Sequence, residues 1–180
     1  RPTWAAIALF VAGHGFLCAQ TRWGIATPLL PFYGSTLAAY DPVARRAVVL
    51  DTTTCSTWSI ASSTGVWTQV AFQTVPIGYV SDASMVWDTV RQRAVLFGGF
   101  DPNGAPTART WQLVGSTWQQ FLPPGPAARH NAGMCFDAVA GVVRLVGGDG
   151  AAFGAAPQPL GDVWTFDGAQ WTQMPASAGG

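Results

Sequence analysis

Three stretches of the chain share one order of apolar and polar positions. Ser35 to Val70 reads STLAAYDPVARRAVVLDTTTCSTWSIASSTGVWTQV. Asp82 to Phe121 opens DASMVWDTVRQRAVLFGGF and ends TWQLVGSTWQQF. Asn131 to Met174 opens NAGMCFDAVAGVVRLVGGDG and ends DVWTFDGAQWTQM. Each begins with a short apolar stretch that stops at an aromatic–Asp pair: Tyr40-Asp41, Trp87-Asp88 and Phe136-Asp137. Ten residues after each Asp stands a second pair: Asp51-Thr52, Gly98-Gly99 and Gly147-Gly148. Two tryptophans close each unit: Trp58 and Trp67, Trp111 and Trp118, Trp164 and Trp171. So many anchors recurring in one order identify an internal repeat.

Each unit predicts four short strands. The first ends at the aromatic–Asp pair, where the carboxylate suits a turn because it accepts backbone N–H groups further on. RAVVL, RAVLF and VVRLV are near-continuous apolar runs, so both faces of the second strand are expected to be covered. The glycine pair marks a sharp turn or a close approach of backbones. The third and fourth strands form a hairpin, clearest in WTFDGAQW, where Asp167-Gly168 signals a tight turn. Trp164 and Phe166 are two apart and share a strand face, as do Trp111 with Leu113 and Trp58 with Ile60. A lone four-stranded sheet with two apolar faces is unstable, and stacking such sheets buries both. The expected fold is all-β, a partial β-propeller of about three four-stranded blades.

The pattern aromatic–Asp, Gly-Gly, Trp-x6-Trp resembles the kelch repeat of secreted bacterial kelch-like proteins and galactose oxidase-type propellers. The resemblance covers about residues 35–174. It assigns kelch-like blades to 35–75, 76–125 and 126–180, with a linker or outer strand at 20–34. The first unit departs from the pattern, with Asp51-Thr52 in place of the glycine pair and its tryptophans nine apart. Arg129 stands where such repeats often carry Arg, whereas Val80 and Tyr33 hold the equivalent places. Closed propellers have four to eight blades. The leading expectation is therefore a segment of a longer propeller. An open arc, or self-association to complete the ring, are the alternatives. Exposed end sheets would make residues 20–180 self-associate or dissolve poorly.

Residues 1–19 have the layout of a signal peptide: Arg1, an apolar run from Trp4, then small residues. The run is short for a membrane span. Secretion to an extracellular or periplasmic place is expected, with no membrane span after signal removal.

Composition narrows the chemistry. The nine basic residues are all Arg and the nine acidic ones all Asp, so formal net charge is zero. Without Lys or Glu there is no Schiff-base lysine, P-loop lysine or Glu general acid, and no nucleic-acid patch is expected. Gly (21) and Pro (13) favour turns over long helices. Cys55 and Cys135 fall in different units and read as buried small apolar side chains.

The long loops are 100–109 and 148–162, and loops carry function on such scaffolds. Asp101, Asn103 and Asp149 offer oxygen ligands but complete no calcium spacing. Arg129 and His130 are the candidate ligand-binding pair at the mouth of the ring; the competing reading has Arg129 paired with an Asp and His130 partly exposed. One His outside the leader is too few for a conventional zinc site, and no GxSxG nucleophile elbow is present. The resemblance raises copper oxidase chemistry, but the two-His, two-Tyr, one-Cys set is lacking. Sialidase chemistry would need an Arg triad and a Glu base, which this chain does not offer. The tryptophans read as packing between blades rather than as sugar platforms. No catalytic residue, metal or cofactor is assigned. The expected function is non-enzymatic binding or scaffolding for an unidentified protein or glycan. The alternative is a fragment of a carbohydrate oxidase or hydrolase whose catalytic residues lie elsewhere.

Overall fold

The computed structural model describes residues 36–71 and 80–175, so the signal-peptide and 20–34 linker assignments lie outside the described residues. Those residues form twelve strands and no helix. The first sheet contains β1 (Thr36–Asp41), β2 (Arg46–Asp51), β3 (Thr57–Ala61) and β4 (Trp67–Ala71). The second contains β5 (Ser84–Asp88), β6 (Arg93–Phe97), β7 (Thr110–Val114) and β8 (Thr117–Phe121). The third contains β9 (Gly133–Asp137), β10 (Val142–Val146), β11 (Val163–Phe166) and β12 (Trp171–Gln173). Every sheet is antiparallel and ordered as the chain runs. First strands contact one another, β1 with β5 and β5 with β9, so the sheets fan outward as propeller-like blades.

Local chemistry sets the first hairpin of each blade. The Asp41, Asp88 and Asp137 carboxylates each accept the N–H groups two and three residues on, at 2.9–3.1 Å. The other carboxylate oxygen takes Arg46, Arg91 or Arg144. The residue four after the Asp adopts positive φ: Arg45, Gln92 and Gly141. Asp51 builds the same turn, accepting from Thr53 and Thr54, with Cys55 at φ 57. The first blade therefore turns directly where the others carry a glycine pair and a long loop.

Alternation along the second strands explains their composition. In β6, Ala94 and Leu96 pack toward the first blade, while Val95 and Phe97 pack toward the third. All four are buried, each worth about 1–3 kcal/mol for the larger side chains. In β10 only Val143 and Leu145 are buried; Arg144 is half-buried and Val146 exposed. Two expectations thus need correction. VVRLV is not covered on both faces among the described residues, and Cys135, paired across from Arg144, is exposed rather than buried. Both lie on the outer face of the third blade, against which no described sheet packs. Cys55 is only half-buried, its thiol pushed up by burial and then by the Asp51 charge.

Adjacent blades are tied by one repeated bond. Trp118 donates its indole N–H to Thr57 at 2.7 Å, and Trp171 donates to Thr110 at 2.9 Å. Both hydroxyls are buried at the start of a third strand in the preceding blade. Tryptophan here packs and hydrogen-bonds at once. The corresponding position of the third blade is Val163, which has no hydroxyl.

The β11–β12 turn is longer than the two-residue turn its Asp-Gly suggests. Phe166 pairs with Trp171 across residues 167–170, and Asp167 accepts the Ala169 and Gln170 N–H groups. Gly168 has φ 94, and an added Cβ would fall on the Arg91 side chain, which bonds Asp88 and the Gly141 carbonyl. Gly168→Ala should cost about 1–3 kcal/mol, read by chemical denaturation.

Candidate loop-face site

Antiparallel connectivity sorts the loops. First hairpins and outer hairpins lie at one end of the blades, the turn face. Lead-ins to each blade and the long β6–β7 and β10–β11 loops lie at the other, the loop face.

Arg129 and His130 fall on the lead-in to the third blade. Arg129 is fully buried. Its guanidinium forms a two-pronged bond to Asp162 at 2.5 and 2.9 Å, and donates to the Gly147 and Ala127 carbonyls. Its backbone faces the second blade, accepting from Gly99 N–H at 2.9 Å and donating to the Thr107 carbonyl. One residue thus joins two blades, its side chain holding one and its main chain the other. Trp164 donates a further bond to Asp162 at 2.7 Å. The Arg129 bonds foremost hold the Asp162 carboxyl down at about 2.

The glycine pairs follow from this crowding. Gly98 has φ 73, and an added Cβ would meet the Arg129 carbonyl oxygen. Gly148 has φ 103, and its Cβ would stand 2.9 Å from the His130 carbonyl.

His130 is half-buried and stacks on Phe100, ring centroids 4.1 Å apart. Its Nδ1 lies 3.0 Å from the Asn131 amide nitrogen. Phe153 meets the Phe100 edge at 5.8 Å and donates its N–H to Gly104, which fastens the two long loops together. The Phe153 side chain is largely exposed. The loop face thus presents Phe153 and His130 around a buried Phe100.

The candidate calcium oxygens do other work. Asp101 accepts the Asn103 and Ala105 N–H groups, and Asp149 those of Ala151 and Gln158. These backbone bonds, led by Ala105 and Ala151, lower the two carboxyl pKa values. No group of three or more His, Cys or Asp able to hold a metal occurs among the described residues.

Charge is divided between the ends. The turn face has Arg45, Arg46, Arg91, Arg93 and Arg144 against Asp41, Asp88, Asp137 and Asp167, net one positive. The loop face has Arg109 and Arg129 against Asp51, Asp82, Asp101, Asp149 and Asp162, net three negative.

Sequence reasoning missed Phe100 and Phe153, because their contact joins loops of different blades. It also missed Val43, Val90 and Val139, which stand two residues after each repeated Asp and are exposed. Their common offset was the available signal.

No family model matches the chain, and no curated protein matches it. Among solved structures, the one described as the structure of YjhT is similar with a TM-score of 0.58 at 11% identity. The match covers 86% of this chain and 48% of that one, so the chain spans about half that protein's length. At this identity the likeness shows the fold alone: propeller-like, all-β, of four-stranded antiparallel sheets.

Proposed function

We propose that the chain is a secreted kelch-type segment of a longer propeller, acting as a non-enzymatic module that binds protein or glycan through its loop face. One observation carries this reading: on that face Arg129, Asp162, Asp101 and Asp149 are committed to the scaffold while aromatic groups are offered. Arg129 is committed to Asp162, and Asp101 and Asp149 to loop N–H groups. Phe153 and half-buried His130 remain for contact. Aromatic anchors on a rigid support suit recognition.

The test is a protein and glycan binding screen on the 180-residue chain and its Phe153→Ser variant. The expected result is a ligand captured by the first and lost, more than tenfold in affinity, by the second. A ligand held equally by both, or turnover of a sugar substrate, contradicts the reading.

A further inference from the structure

Six valines are exposed among the described residues, and five of them lie on the turn face. Val43, Val90 and Val139 take the same place in all three blades, with Val43 70% and Val90 60% exposed and Val139 fully so. Turn positions ordinarily take polar residues, Gly or Pro. Nor do these valines serve the turn through their side chains, since the neighbouring Asp carboxylate bonds only their backbone N–H. They sit on the hairpins of neighbouring inner strands, and Val90 reaches within 3.7 Å of where a Gly141 Cβ would be. An apolar arc recurring around the fan is the kind of surface that a partner covers.

Charge identifies the partner. The arc is rimmed by guanidinium groups; the Asp41 and Asp88 carboxylates are sunk beneath it, Asp137 is part-exposed and paired with Arg144, and Asp167 is exposed, which leaves the face one positive. The opposite end of the same molecule is acidic and exposes Phe153 and Leu122. Apolar meets apolar and positive meets negative when one copy is set on another end to end.

We propose that the turn face of one copy docks on the loop face of a second. The occupant is a second copy of this chain, and the contact is head-to-tail, so it continues into a stack rather than closing. This rests on the reading of the loop face as a binding surface and names a partner for it.

The experiment is sedimentation of the full chain over a concentration series at low and high salt. Wild type is expected to gain mass with concentration at low salt and lose most of that gain at high salt. The triple variant Val43→Asp, Val90→Asp, Val139→Asp is expected to stay unassociated, with an unchanged β spectrum and thermal midpoint. A milder triple Val→Ser variant should weaken association at least tenfold. Wild type that shows no concentration dependence overturns the proposal, as does triple-variant association equal to wild type. Association abolished by Cys135→Asp alone, at the exposed middle of β9, overturns it too, and assigns the contact to the outer sheet face. In each of these cases the Phe153 screen still judges the loop-face reading by itself.

Discussion

Gly98→Ala is expected to lower the thermal midpoint by roughly 10 °C, whereas Gly115→Ala should lower it by roughly 3 °C. Both glycines have positive φ, 73 and 62, so both alanines carry a left-handed strain of about 1 kcal/mol. Only Gly98 has a neighbour in the way. Its added Cβ falls on the Arg129 carbonyl, which is backbone and is itself held by Gly99 N–H. Gly115 has nothing within 4 Å. The difference between the variants isolates the approach of the third blade's lead-in to the second blade, at about 2 kcal/mol or more. Equal losses at the two sites would mean that the lead-in does not pass there.

Arg129→Leu is expected to cost about 2–4 kcal/mol, because it leaves the part-exposed Asp162 carboxylate without its cation and the Gly147 and Ala127 carbonyls without their donor. Arg129→Lys should recover little. An ammonium group cannot supply the two-pronged bond to Asp162 while also reaching the Gly147 and Ala127 carbonyls. The double variant Arg129→Leu, Asp162→Leu should be more stable than Arg129→Leu alone, since it removes the orphaned charge. The pair also sets an acid limit. The Asp162 carboxyl lies at about 2 in the folded chain against an ordinary value of 3.8, so the unfolded chain takes up its proton first as pH falls. The stabilisation is therefore complete above about pH 4 and is lost as pH drops through about 2. Acid titration of stability should show a smaller loss in the double leucine variant than in wild type, because Asp101, Asp137, Asp149 and Asp167 still titrate low in both.

The local parts of this fold were legible from the residues. Asp41, Asp88 and Asp137 announce their turns because a carboxylate and the next few N–H groups are enough to make one. Gly98 and Gly148 announce close approach because no other residue combines positive φ with a missing Cβ. Asp51 departs from the glycine pair of the other units, yet it builds the same turn as Asp41. What lay beyond reach depended on contacts between distant segments. Arg129 and Asp162 are 33 residues apart and meet only after the long β10–β11 loop has folded back. Cys135 looked like core because its strand is apolar, but its face lacks a described neighbour. At the candidate site His130 was visible as a lone histidine, while its support on Phe100 required knowing that two blades adjoin.

The blades pack in chain order, with Trp118 and Trp171 each reaching back one blade. Double-mutant cycles between the indoles and the buried threonines test that order directly. Trp118→Phe with Thr57→Val, and Trp171→Phe with Thr110→Val, should each give a coupling of about 0.5–1.5 kcal/mol. The exchanged pairs, Trp118 with Thr110 and Trp171 with Thr57, should give none. Coupling in the exchanged pairs, or in none of the four, would contradict the arrangement of the sheets.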